Sequence, residues 1–354
     1  MSDVNTMSSL SAERMEELFQ KSIRDSRKFL AFSLLWISAF VALHFLTSNE
    51  VLKQAIVRAF LYATGFWLFI NLLKQLVVYR LLSVRLADVK DARLGNFDVN
   101  EIREIVNEVL DATATHERPE VYIMKVDAVN AMAVNVYLLN FIKMANALYI
   151  GDKSFSCLSK EELKALIYHE MGHFNKYMYA ESNMLGLNLF YFMILPFSFI
   201  IFFHGFWMKS LFVIGLLMVL LYLFQKVRKA ENYDNHILEY LCDLTAAKHT
   251  GNLTTINMLI EVARQNVVNE DEKRKEILKS ILVPVNRTLV DWSLFDTHLV
   301  NGKIEKEEYD LLIENLLNNQ HPQLFEHTAV DHNSRSHPSL TNRVLFLHRN
   351  AQSH

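Results

Sequence analysis

Residues 159–179 read SKEELKALIYHEMGHFNKYMY, and this run constrains much of what surrounds it. Ser159 followed by Glu162 forms a capping box, so a helix begins there. On that helix His169 and His173 stand at i and i+4, where both imidazoles reach one metal ion. Glu170 lies between them, beside the position a catalytic zinc keeps open for water, and is placed to take a proton from that water. With 14 histidines in the chain, HExxH alone is not decisive, because a catalytic zinc needs a third protein ligand. The run His236-Ile-Leu-Glu239-Tyr-Leu-Cys-Asp243 supplies a candidate. Glu239 is the expected third ligand. Asp243 falls one turn later on the same face, placed to orient a ligating histidine through its second nitrogen. Taken alone, these two acids would read as a solvated helix face. Ala246 and Ala247 continue the helix with small side chains that allow close approach to the HExxH helix.

The two segments are 60 or more residues apart, and the sequence between them is apolar. Of the 354 residues, 51% are hydrophobic and 21% charged, and uneven distribution reconciles the two figures. Between Lys28 and Glu50 there are 21 uncharged residues, including FLAFSLLWISAFVALHFLT, enough to cross a bilayer core as a helix. AFLYATGFWLFINLL at 59–73 is shorter, and becomes a span by running on to Tyr79 with Arg58 and Lys74 reaching the interface. After Glu181 the chain is uncharged for 27 residues to Met208, then SLFVIGLLMVLLYLFQ follows Lys209. This is a helical hairpin with HGFWMKS at its tip. Four spans are expected near 29–49, 59–79, 184–205 and 208–225. Two passes between His173 and Glu239 return both segments to the same side; an odd number would forbid the site. Lys21, Arg24, Arg27 and Lys28 precede the first span, Arg80, Arg85, Lys90 and Arg93 follow the second, and Lys226, Arg228 and Lys229 follow the fourth. The positive-inside rule then puts both termini and residues 80–181 in the cytoplasm.

Other function classes fall away on composition. A net charge of -3 excludes a generally basic nucleic-acid binder, and no nucleic-acid partner is expected. With 9 glycines and 5 prolines, the chain is neither a β-sandwich nor collagen-like nor disordered. Two cysteines, Cys157 and Cys242, exclude a disulfide framework, and Cys242 reads as a small buried packing residue. VNEIREIVNEVLDAT (99–113) has helical periodicity. VYIMKV (121–126), AMAVNVY (131–137) and ALYIG (147–151) read as a small sheet. A further helix is expected from about 230 to 249, and helices with polar loops from about 252. DTHLVNGKIEKEEY has the Gly302, Ile304 and Glu308 offsets of a calcium loop, but Thr297 and Leu299 stand where oxygen ligands are needed. It reads as a turn followed by a helix.

HEMGH, the later EYLCDLTAA, His337-Pro338-Ser-Leu-Thr-Asn-Arg343 and Asn130-Ala131-Met-Ala133 together resemble the HtpX-type and CAAX prenyl protease-type membrane zinc metallopeptidases. The resemblance spans roughly 80–265 and 324–348, with residues 1–28 and 266–320 outside the family core. It implies a mainly α membrane protein: four transmembrane helices with a cytoplasmic α+β zincin domain of the gluzincin type. It implies one Zn2+ per chain on His169, His173 and Glu239, with Glu170 as base. Asn130 and Ala131 would belong to an edge strand along which substrate adds. His337 would approach the site and stabilise the oxyanion, and Arg343 would pair a carboxylate nearby. The implied organisation is an N-terminal extension (1–28), a first hairpin (29–80), catalytic segments at 81–181 and 226–354, and a second hairpin (182–225). Substrates would be membrane proteins or peptides, in a bacterial inner membrane with the catalytic domain cytoplasmic.

The residue that often precedes the ligating Glu in the family is basic, and Asn235-His236-Ile237-Leu238 stands there instead. A CAAX-type peptidase is the nearest alternative, though four spans are few for one. A non-catalytic zinc-holding scaffold would not need Glu170. A site-2-type intramembrane protease is disfavoured because the HExxH helix carries Lys160, Glu161, Glu162, Lys164 and Lys176. The topology is checked by a reporter fused after His354, which is expected to read cytoplasmic; a periplasmic or luminal reading overturns it.

Overall fold

The computed structural model describes residues 9–57, 82–174, 235–277, 295–318 and 338–351, less a few positions within the first two ranges. A long helix, α1 (Ala12–Leu46), comes first. Short strands β1 (Ser83–Arg85), β2 (Arg93–Leu94) and β3 (Phe97–Asp98) lead into α2 (Val99–Ala112). Asp98 caps α2 by accepting the Asn100 N–H at 2.8 Å. Strands β4 (Glu120–Met124), β5 (Ala131–Leu138) and β6 (Ile142–Gly151) follow, then α3 (Lys160–Gly172). The second half holds a helix at 235–250, labelled α4, and α5 (Asn252–Ile277). It continues through the hairpin β7 (Leu299–Val300) and β8 (Lys303–Ile304) to α6 (Lys306–Asn318) and α7 (Leu340–Ala351).

The main sheet has the order β1-β4-β6-β5, with β4 and β6 parallel and both outer pairs antiparallel. β5 is therefore an edge strand. Ile123, Ala131, Leu148 and Ile150 enter a core shared with Ile102, Ile105, Val106 and Val109 of α2 and Leu163, Ile167 and Met171 of α3. The 3–4 spacing of the helical residues is what turns one face of each helix inward. The three strands and the α2 helix expected from the sequence are present; β1 is only three residues long and had no readable alternation. The Ser159 capping box is formed, with its side chain on the Glu162 N–H and Glu162 reaching back to the Ser159 N–H at 2.8 Å.

Within 266–320, Phe295, Ile304, Leu312, Ile313 and Leu316 are buried in the main hydrophobic core. The Asn257 side chain accepts the Ile304 N–H at 2.8 Å and donates to its carbonyl at 3.0 Å. Asn301 and Gly302, with φ of 52° and 82°, make the tight turn between β7 and β8, as Asn-Gly does in two-residue hairpins. Two-residue strands carry no period to read. In the N-terminal segment, Met15 and Phe19 are buried in a cluster with α4 residues.

Among the described residues no helix is long and apolar enough to cross a membrane. The α1 backbone covers 29–46 of the first expected span, with most side chains there outside the described set. The spans expected at 59–79, 184–205 and 208–225 lie outside the described residues.

Lys303 reaches Glu162 at 2.6 and 2.8 Å, so the buried carboxylate that caps α3 also ties down the hairpin. Glu162→Ala removes both roles. It is expected to cost about 1–2 kcal/mol, typical of a lost cap with a further lost partner, read as a lowered Tm with α3 still formed.

Candidate metal centre

The helix α3 ends at Gly172, and His173 and Phe174 continue it in a wider, π-type turn. The structure brings His169 and His173 together with Glu239 of α4. The two Nε2 atoms are 3.3 Å apart; His169 Nε2 is 3.6 Å from Glu239 Oε2, and His173 Nε2 is 3.5 Å from Glu239 Oε1. Among the described residues this is the one cluster whose ligand atoms converge on a metal-sized point. Ligands about 2.0–2.1 Å from a tetrahedral ion lie about 3.3–3.4 Å from one another; the two imidazole nitrogens stand at that separation, and each faces one oxygen of the Glu239 carboxylate.

Around this trio the charges are arranged in a second layer. Asp243 Oδ1 lies 3.0 Å from His169 Nδ1, at an angle short of a formed hydrogen bond. Arg343 of α7 donates to both Asp243 oxygens, Nε at 2.7 Å and Nη2 at 2.5 Å, and its Nη2 is 3.2 Å from Glu239 Oε2. Burial alone would raise the Asp243 carboxyl, but the Arg343 guanidinium beside it overrides that and holds it below its ordinary value. Arg343 is in turn pushed up, because Asp243 and Glu239 outweigh its own burial. Glu170, Glu239 and Asp243 are all buried, and the Arg343 guanidinium faces Glu239 and Asp243. A divalent ion among the His169, His173 and Glu239 ligand atoms would add positive charge beside these carboxylates.

Glu170 is held from the other side. Its Oε2 accepts the Ala133 backbone N–H at 2.9 Å, and burial pushes its carboxyl above the ordinary value. That hydrogen bond also fixes which edge of β5 is open. Asn130 turns its carbonyl toward β6, where it accepts the Gly151 N–H at 2.8 Å, so the backbone groups of Ala131, Ala133 and Asn135 face outward. Asn130 is exposed, and its backbone is further anchored by Ser154 Oγ, which accepts its N–H and donates to its carbonyl, both at 3.2 Å. His337 lies outside the described residues.

The sequence pointed to Ala246 and Ala247 as small residues that allow close approach to the HExxH helix. Ala246 is buried in the core that holds α3, Tyr168 of α3 stacks on His249 of α4 with ring centroids 4.2 Å apart, and the two helices also meet at Gly172 and Cys242. A Cβ on Gly172 would stand 3.1 Å from Cys242 Sγ and 3.2 Å from its Cα. Cys242 is fully buried, a packing residue. The Ala133 N–H was also not legible as a contributor, since a backbone donor leaves no side-chain signal.

An HExxH helix, an edge strand beside its glutamate and a second helix delivering a carboxylate define a zincin-like metallopeptidase domain of mixed helix and strand. Peptidase family M48 matches residues 97–351, and the chain belongs to that family, which bears out the resemblance to HtpX- and CAAX protease-like peptidases. No curated protein matches it. The crystal structure of S. mikatae Ste24p is similar over 92% of this chain, at 12% identity and a TM-score of 0.44. The chain covers 66% of that protein's length, just under two thirds. The match at 97–351 takes in 266–320, in agreement with the burial of its second half.

Gly172→Ala sets two effects against each other. Alanine favours a helix by about 1 kcal/mol over glycine, while overpacking a close seam costs about 1–3 kcal/mol. Because the nearest atoms include the Cys242 Cα, which cannot swing aside, overpacking wins. The variant is expected to lose metal faster to a chelator than wild type; equal retention would show that the seam does not set the ligand spacing.

Proposed function

We propose that this chain is a membrane-embedded, zinc-dependent endopeptidase that hydrolyses peptide bonds of misfolded or surplus membrane proteins at the cytoplasmic face. Membership of family M48 supports a metallopeptidase hydrolase. The observation that carries the reading is Glu170 held by the Ala133 N–H beside the His169–His173–Glu239 trio. His169, His173 and Glu239 would hold the zinc, which when bound supplies a Lewis acid and brings the pKa of water toward neutrality. Glu170 takes the proton of the attacking water and passes it to the departing amine. The Ala133 N–H keeps the carboxylate in place between those two transfers. Asp243 orients His169, and Arg343 keeps Asp243 ionised while sharing Glu239.

Substrate would lie as an added strand along the outward edge of β5, paired through backbone groups around Ala131 and Asn135. Backbone pairing reads no side chains, which suits a peptidase acting on many damaged sequences. His337 would stabilise the oxyanion. The membrane setting rests on the four apolar stretches near 29–49, 59–79, 184–205 and 208–225, with the bilayer as partner and the catalytic segments in the cytoplasm. The CAAX-type alternative, trimming prenylated peptides, shares this chemistry and differs in substrate.

Two variants read the chemistry separately. Glu170→Gln is expected to purify folded with zinc while cleavage of a membrane-protein substrate falls at least ~100-fold, the scale of a lost general base. Glu239→Ala is expected to lower zinc content itself. Unimpaired cleavage by Glu170→Gln removes the peptidase reading, and unchanged metal stoichiometry in Glu239→Ala removes it from the ligand set.

A further inference from the structure

α4 is buried on every side between His236 and Asp243, although only one stripe of it faces the metal centre. Glu239 and Asp243 share that stripe. Ile237 and Leu241 point roughly the opposite way, since two residues along a helix rotate the side chain by about 200°. What covers this rear face is the start of α1. Met15 and Phe19, one turn apart and 0% and 1% exposed, pack with Ile237, Leu238, Tyr240, Leu241 and Cys242, joined by Phe346 of α7. Leu18 and Ile23 continue the contact along α1. The Tyr240 and Phe346 rings lie 4.7 Å apart.

The same end of α1 is tied to α7 by polar contacts. Asn350 Oδ1 accepts the Ala12 N–H at 2.6 Å, and its Nδ2 donates to the Phe346 carbonyl at 2.9 Å and the Leu10 carbonyl at 3.4 Å. Asn350 stands two turns after Arg343 on one helix face. The start of α1 thus touches both helices that bring charge to the metal centre: α4 with Glu239 and Asp243, and α7 with Arg343. Neither contact involves the reacting groups.

We propose that the buried face of α1 formed by Met15 and Phe19 is a positioning element of the metal centre, pressing α4 from behind and setting where Glu239 and Asp243 stand. This rests on the zinc reading above. α1 runs on without a break from this contact into residues 29–46, so the brace and the first expected span are one rod.

The experiment uses the full chain in detergent, with zinc Kd by chelator competition, Tm, and the kcat and KM of peptide cleavage. Phe19→Ala is expected to raise the zinc Kd about 10–100-fold, the range for losing a support of a metal ligand, with kcat falling more than KM changes. Phe19→Leu is expected to recover most of the affinity, and Arg14→Ala, exposed on the same helix, to leave it unchanged. A merely destabilised protein still folded at the assay temperature keeps its metal Kd, because binding is measured on the folded state. A lowered Tm with wild-type Kd and kcat therefore overturns the proposal. Met15→Ala and Asn350→Ala approach the same contact from its other ends, so the outcome does not hang on one variant folding. Absence of zinc binding by the wild-type chain would fail the metal reading instead, a result distinct from an unaltered Phe19→Ala.

Discussion

Two helices that carry parts of one donor set have to come close, and beside the ligands they do so where a glycine meets a cysteine. His169 and His173 project from α3 and Glu239 from α4, and neither an imidazole nor a carboxylate reaches far beyond its own helix. Gly172 against Cys242 brings the backbones close enough for the ligand atoms to stand 3.3–3.6 Å apart. The rest of the fold can be understood as support for that seam. The sheet and α2 pack on α3, α5 runs across it, and α1 and α7 close over the rear of α4.

The seam also concentrates charge in a largely buried place. Buried carboxylates are costly unless partnered, and here the partners are unequal. Asp243 has the Arg343 fork almost to itself, Glu239 has a share of it, and Glu170 has a backbone N–H. The group with the strongest cationic partner is the one that, on the proposed mechanism, would stay ionised to orient His169. The group left with a neutral partner is the one that would gain and lose a proton. Environment thus separates the roles of three chemically similar acids.

Much of this was legible before any coordinates. HExxH sits on a capped helix, and ExxxD follows at helical spacing. The strands at 121–126, 131–137 and 147–151 are short β-prone runs set off by Asp127, Asn130 and Gly151. Local periodicity encodes such features. What stayed hidden is encoded elsewhere. The β7–β8 hairpin is too short for a period, and its membership of the core depends on Phe295 and Ile304 finding α5 far away in sequence. The contact of Met15 and Phe19 with α4 joins residues more than two hundred positions apart. The Ala133 donor is a backbone atom, identical in every residue but proline.

The order in which these parts leave the ribosome has its own consequence. His169 and Glu170 emerge early, yet Asp243 and Arg343 are separated by 100 residues. At about 5–20 residues per second, a growing chain carries Asp243 for roughly 5–20 s before its guanidinium partner has been made. During that interval the carboxylate cannot be buried without cost, and α7 does not yet exist to close the rear of α4. The charged layer behind the His169–His173–Glu239 trio is therefore closed only after α7 has been made.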